Sequence, residues 1–255
     1  LAMTSGHEDS IRRIEYLPGG TRIATCSFDN TVRIWNVEIS EQEGNSMAHE
    51  GCVYGLAVTR DEKMILSGGE DKRIRVWDVE THELIEEWER HEDSIRRIEY
   101  LPGGTRIVTC SFDNTIRIWN VETGEQELEG KSMAHEGCVY GLAVTKDGKR
   151  ILSGGEDKRI RVWAVETHEL IEEWEKHKDV VSCVLWSLDG SRLFSASYDH
   201  TIRCWNSDTG ESIGEPWSGH THSVESLSLS PDGTKLASAS YDKAIRFWDT
   251  LSGNS

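Results

Sequence analysis

An aspartate stands six residues before a tryptophan six times along this chain, at Asp29/Trp35, Asp71/Trp77, Asp113/Trp119, Asp157/Trp163, Asp199/Trp205 and Asp242/Trp248. One copy, Ser111 to Asn120, reads SFDNTIRIWN. It holds a turn, Phe112-Asp113-Asn114-Thr115, and then a short strand that alternates apolar and polar residues. A histidine recurs in step at His7, His49, His91, His135, His177 and His220, with the same intervals as the tryptophans: 42, 42, 44, 42 and 43 residues. Two markers in phase define a repeat protein, in which each repeat is one supersecondary unit that cannot bury its apolar face alone.

Four short strands can be read in each unit. After the histidine comes strand a, for example Ile95 to Tyr100, and then a turn at Pro102-Gly103-Gly104 whose residues suit the dihedrals required. Strand b is Arg106 to Cys110, and the Asp turn leads into strand c, Thr115 to Val121. A polar turn precedes an outer strand d, clearest at Leu84 to Trp88. Glu83 to Arg90 could pass for a helix, but its counterpart Ser212 to Gly219 contains Gly and Pro and could not. The expected class is all-β: a six-bladed β-propeller of four-stranded antiparallel blades, since stacking in a ring buries both faces of each small sheet. The units run about 7–48, 49–90, 91–134, 135–176, 177–219 and 220–255 of a single domain spanning 1–255. The last unit stops after strand c, so residues 1–6 are expected to complete the last blade and close the ring.

A larger period is superimposed. Residues 7–43 match 91–127 at 33 of 37 positions, and 46–90 match 132–176 at 40 of 45. A two-unit block has been duplicated, and its mild differences fit two copies in one environment.

Acidic residues outnumber Lys and Arg 45 to 28, for a net charge of −17, which argues against a nucleic-acid backbone binder and permits a basic partner. No apolar run approaches the roughly 20 residues of a membrane span. The cysteines follow the repeat: Cys26 and Cys110 share a position otherwise held by Gly or Ala, and Cys204 stands where other copies have Ile, Val or Phe. They read as packing residues of a reduced, cytoplasmic or otherwise intracellular protein.

The recurring His, Asp and Trp resemble the WD-repeat β-propeller family over the whole chain. The terminal pair is Trp-Asp only at Trp77-Asp78 and Trp248-Asp249; three copies have Trp-Asn and one has Trp163-Ala164. The resemblance implies a hydrogen-bonded tetrad in each blade. Its members would be His7, Thr25, Asp29 and Trp35; His49, Ser67, Asp71 and Trp77; His91, Thr109, Asp113 and Trp119; His135, Ser153, Asp157 and Trp163; His177, Ser195, Asp199 and Trp205; and His220, Ser238, Asp242 and Trp248. A histidine between strands needs partners on both ring nitrogens, and a carboxylate fixes its tautomer.

The resemblance also implies a peptide-binding face at the mouth of the central channel, made by three positions per blade. The residue before the turn Asp is Phe28, Glu70, Phe112, Glu156, Tyr198 or Tyr241; the fifth after the His is Arg12, Tyr54, Arg96, Tyr140, Ser182 or Glu225. The third after the His is Ser10, Cys52, Ser94, Cys138, Val180 or Ser223. Phe28 and Phe112 are expected to be exposed, and Tyr, Phe and Arg are the types enriched at binding hot spots. Trp88, Trp174 and Trp217, three residues before a histidine, read as outer-strand packing.

These features point to a non-catalytic scaffold that binds a protein or peptide, with no cofactor, no metal, no nucleic acid and no membrane. Ser, His and Asp do recur together, but a catalytic triad occurs once, whereas six equivalent sets are scaffolding. No Gly-x-Ser-x-Gly elbow and no zinc-like His/Cys spacing is present. A hydrolase is the weaker alternative. Another is a repeat segment of a larger regulatory protein, or an engineered array, without binding activity of its own. A monomer is expected, and an incomplete ring would exchange strands between chains.

Overall fold

The computed structural model describes residues 6–128 and 133–254. The chain divides into two compact units, Leu1–Glu129 and Gly130–Ser255. Among the described residues there is no helix, and every sheet is antiparallel.

The first unit holds three sheets. The first is β1 (Ile11–Tyr16), β2 (Arg22–Ser27), β3 (Thr31–Asn36) and β4 (Glu41–Ala48), in that order. The second is β5 (Val53–Val58), β6 (Met64–Gly69), β7 (Arg73–Asp78) and β8 (Leu84–Glu89). The third contains β9 (Ile95–Tyr100), β10 (Arg106–Ser111) and β11 (Thr115–Asn120), with an isolated bridge from Trp119 to Gln126 beyond β11. Alternating Ile and Val side chains fill the space between neighbours. Val32 and Ile34 of the first sheet share a core with Val53 and Leu56 of the second.

The second unit begins with the two-residue β12 (Met133–Ala134); its fourth sheet consists of β13 (Val139–Val144), β14 (Arg150–Gly155), β15 (Arg159–Ala164) and β16 (Leu170–Glu175) alone. The fifth is β17 (Val181–Trp186), β18 (Arg192–Ser197) and β19 (Ile202–Asn206); the sixth is β20 (Val224–Leu229), β21 (Lys235–Ser240) and β22 (Ile245–Asp249). The outer position of the fifth sheet is reduced to two bridges, Ile202 to Trp217 and Trp205 to Ser212. Gly214 at φ 71° turns the chain between them, and Pro216 has no N–H to give the ladder. The sixth sheet has three strands among the described residues, and of residues 1–6, expected to complete it, 1–5 lie outside them.

The ambiguous segment around Glu83 to Arg90 is strand β8, paired along Arg73 to Trp77. Cys26, Cys110 and Cys204 are buried in the cores, and all six cysteines are free thiols.

Candidate functional site

Every sheet carries the same buried hydrogen-bond chain. The histidine Nδ1 lies 2.6–3.1 Å from a turn-Asp carboxylate oxygen. Its Nε2 lies 2.7 Å from the strand-b hydroxyl in all six sheets. The same hydroxyl accepts from the tryptophan Nε1 at 2.7–2.9 Å. Donor logic fixes the tautomer of a neutral ring. An ionised carboxylate can only accept, so the ring proton sits on Nδ1 and faces it; Nε2 is then an acceptor for the hydroxyl, whose oxygen in turn accepts from the indole N–H. Burial holds His49, His91 and His135 below the ordinary histidine value, against the pull of Asp71, Asp113 and Asp157.

The aspartate is the hub. Asp113 accepts from His91, from the Glu92 and Thr115 amides and from the Thr115 hydroxyl. Burial pushes these carboxyls up, but the hydrogen bonds win: Asp29 and Asp71 come down to about 2, and Asp113, Asp157, Asp199 and Asp242 fall well below the usual carboxylate range.

Sequence reasoning missed a further participant. The strand-c arginine four residues after the Asp is close to it in four sheets: Arg33 at 3.4 Å from Asp29, Arg117 at 3.6 Å from Asp113, and Arg75 and Arg161 in tight contact with Asp71 and Asp157. Its signal was available, because an arginine stands two residues before the tryptophan in every repeat.

The second set of positions gathers at one end of each sheet for two structural reasons. The a–b ladder skips one residue per sheet, and that residue is the fifth after the histidine: Arg12, Tyr54, Arg96, Tyr140, Ser182 and Glu225. A bulge re-aims its unpaired side chain out of the pleat. The residue before the turn Asp also donates its backbone N–H to the carbonyl of the third residue after the histidine, as in Phe28 to Ser10 and Phe112 to Ser94. The three positions of each sheet are thereby tied together. The turn closes with the residue after the Asp in the left-handed region, at φ 66° for Asn30 and 70° for Asn114.

In the first unit these residues interlock. The Arg12 guanidinium lies 5.0 Å from the Phe28 ring centre, and Phe28 meets Tyr54 edge to face at 5.5 Å and 84°. Arg96 lies 5.6 Å over Tyr54, which also contacts Phe112 at 6.3 Å. Such cation–π and edge contacts each contribute roughly 0.5–1.5 kcal/mol. Phe28 and Phe112 are therefore half-buried rather than exposed, since each leans on Tyr54. Glu70 is exposed and accepts from the Cys52 amide.

In the second unit Tyr140 packs on Tyr198 at 6.1 Å, and the Tyr198 hydroxyl donates to Glu225 at 3.1 Å. Glu156 is exposed and accepts from the Cys138 amide, and Tyr241 is exposed. Among the described residues no three His, Cys, Asp or Glu side chains are grouped to hold a metal ion.

Small antiparallel sheets repeated along a chain, each locked by a His–hydroxyl–Trp–Asp chain, define the class from which repeat propellers are built. The chain belongs to the WD40 family: the profile of the WD domain, G-beta repeat, matches residues 1–36, 41–78, 82–120, 127–164, 168–206 and 210–249. Among characterised proteins it is similar to the small ribosomal subunit protein RACK1 of Drosophila melanogaster, 29% identical over 68 residues, covering 26% of this chain and 21% of that protein. It is also similar to the eukaryotic translation initiation factor 3 subunit I of Drosophila ananassae, 32% identical over 69 residues, 27% of this chain and 21% of that one. A third relative is the denticleless protein homolog of Gallus gallus, 32% identical over 66 residues, 26% of this chain and 9% of that one. The matches thus span about a fifth or less of these relatives' lengths.

Proposed function

We propose that this chain is a non-catalytic interaction scaffold, and that a peptide or loop of a partner protein docks on the bulged face, centred in the first unit on Arg12, Phe28, Tyr54, Arg96 and Phe112. The observation that carries this reading is the interlocked stack of two guanidiniums and three rings. Rings and guanidiniums held by one another lose little side-chain freedom when a partner arrives, and they are the residue types that dominate interface energy. In the second unit Tyr140, Tyr198, Tyr241 and Glu156 occupy the equivalent positions. The exposed Glu70 and Glu156 and the net charge of −17 favour a partner segment with basic residues.

The relatives' names agree with a scaffold role. One is a ribosomal subunit protein and another a subunit of an initiation factor, both components of assemblies. By that likeness we place the protein inside the cell. The six His–Ser/Thr–Asp sets serve the sheets rather than chemistry on a substrate, because the hydroxyl that would attack is already held by both the imidazole and the indole.

The test is capture from a cell extract by the intact chain and by a Phe28→Ala/Phe112→Ala/Tyr198→Ala/Tyr241→Ala variant. Loss of the specifically captured proteins is expected. Identical capture by both would move the docking surface elsewhere.

A further inference from the structure

The duplicated block carries its own control. Residues 46–90 and 132–176 differ at Arg60/Lys146, Glu62/Gly148, Met64/Arg150, Asp78/Ala164 and Arg90/Lys176. Four of these five differences fall on the a–b turn and on the cross-strand pair beside it: Met64 lies opposite Asp78 in the second sheet, and Arg150 opposite Ala164 in the fourth. Those four residues carry a net charge of −1 in the first copy and +2 in the second.

The change removes local hydrogen bonds. At the position of Ala164 the other five sheets have Asn36, Asp78, Asn120, Asn206 and Asp249, and each side-chain oxygen accepts two turn amides. An alanine side chain accepts none. The cation that opens strand b is satisfied in four other sheets: Arg22 by Glu80 at 2.8 Å, Arg106 by Glu127 at 3.3 Å, Arg192 by the Thr250 carbonyl at 3.0 Å and Lys235 by Asp249 at 3.3 Å. Arg150 is exposed and has no such partner among the described residues; with Lys149 it acts on Asp147 only through space.

Arg150 lines a groove of about 460 Å³ between the fourth and fifth sheets, at the end of the sheets opposite the bulged face. That volume is in the range that holds a small ligand. Lys146 and Lys149 line it too, and neither makes an ion pair among the described residues. Trp186 is also in the wall, and its Nε1–H is buried without an acceptor, a fourth unmatched donor. Of the three aspartates beside them, Asp147 accepts from the Thr145 hydroxyl and the Lys149 amide, Asp189 accepts from the Ser187 and Ser191 hydroxyls, and Asp208 is exposed. The corresponding groove between the second and third sheets is likewise lined by three carboxylates, but by one cation instead of three. The two copies thus differ in what they offer an anion.

We propose that the groove between the fourth and fifth sheets binds a phosphate monoester dianion, with the Arg150 guanidinium forked on two of its oxygens and Lys146 and Lys149 meeting the remaining charge. A phosphate monoester brings nearly two negative charges and three acceptor oxygens, enough to engage all three cations; a carboxylate brings one charge and leaves part of the set unmatched.

Titration calorimetry of the intact chain tests this with inorganic phosphate, with a short phosphoseryl peptide and with the same peptide carrying Glu in place of the phosphoserine. One phosphate group is expected to bind per chain, more weakly as salt rises. Tighter binding of the phosphoseryl peptide than of phosphate assigns the groove to a protein segment; binding no tighter assigns it to a small phosphate ester, and both support the site. Arg150→Met/Ala164→Asp installs the residues of the other groove, so it should keep the parent's far-ultraviolet dichroism and weaken binding about tenfold or more. If that variant loses the fold, Arg150→Gln is read in its place. Lys178→Met, at an exposed lysine elsewhere in the same unit, should leave the affinity unchanged. A parent that binds neither phosphate nor the phosphoseryl peptide would overturn the proposal. So would a glutamyl peptide that binds as tightly as the phosphoseryl one, a groove variant that binds like the parent, or equal losses in the groove and Lys178 variants.

Discussion

Trp88 of the second sheet stacks on Trp119 of the third, ring centroids 6.1 Å apart and planes 19° from parallel. Trp174 stacks in the same way on Trp205, and Trp217 on Trp248. Each outer tryptophan also fills the space over a glycine five residues after the inner one. A Cβ built on Gly124, Gly210 or Gly253 would lie 1.9–2.4 Å from the indole nitrogen. Where the outer position is Ser46 instead, the glycine is replaced by His82, whose Nδ1 accepts from the Asn45 amide at 3.1 Å. The chain therefore uses two kinds of rim joint, Trp over Gly and His against the Gly44–Asn45 backbone.

The Trp–Gly joint predicts a graded response to alanine. Gly104 and Gly124 both sit in the left-handed region, at φ 76° and 66°, but nothing lies within 4 Å of a Cβ on Gly104. Gly104→Ala should cost about 1 kcal/mol for backbone strain alone. Gly124→Ala adds a collision with Trp88 and should cost about 2–4 kcal/mol. Urea midpoints measure both, and equal losses would mean the joint is loose.

A double-mutant cycle probes the exchange of joint types. Trp88→Ser alone opens a void and should cost about 3 kcal/mol, and Gly124→His alone meets the indole. Together they reproduce the residue types found at Ser46 and His82, and His82 itself adopts φ 59°. The double variant should be more stable than the sum of the single losses by about 1 kcal/mol or more. Strict additivity would separate the two positions.

Asp113 holds four donors, whereas Glu125 is exposed in a turn. Asp113→Ala leaves the buried His91 Nδ1 without its carboxylate and should cost about 2–3 kcal/mol; Glu125→Ala should stay within about 0.5 kcal/mol. Coincident denaturation midpoints for the two variants would remove the aspartate from its place as hub.

Period and turn chemistry made much of this fold readable. The strand read as Ile95 to Tyr100 is β9 with the same ends, and the strand read as Arg106 to Cys110 is one residue short of β10. Alternation and Pro-Gly turns are local, so they survive in the sequence. The outer strand of the fifth sheet failed because Gly214 and Pro216 weaken pairing that only tertiary context can rescue. The tetrad positions could be named from spacing, and the arginine two residues before each tryptophan carried a readable signal, but the bulge that re-aims Arg12 or Tyr54 is a matter of register. One residue of slip in a ladder has no local signature. For the same reason Phe28 was read as exposed, when its half-burial depends on a ring from the next sheet.

Acid should unfold the protein in two stages. The folded chain holds His49, His91 and His135 below their ordinary value of 6.5 because burial disfavours the imidazolium. The unfolded chain titrates them near 6.5, so below about pH 6.5 it binds protons that the folded state refuses, and stability falls as pH drops through that window. The carboxylates act lower down. Asp29 and Asp71 titrate at about 2 in the folded chain, against about 4 when unfolded. Their contribution is whole above about pH 4 and is lost as pH falls toward about 2. Urea unfolding followed by tryptophan fluorescence should thus show a lower midpoint at about pH 5.5 than at about pH 7.5, followed by a steeper loss below about pH 4. A midpoint unchanged between the two higher pH values would mean that the buried imidazoles titrate as they do in the unfolded chain, and the hydrogen-bond chain from Trp119 through Thr109 and His91 to Asp113 would then have to run with a different proton arrangement.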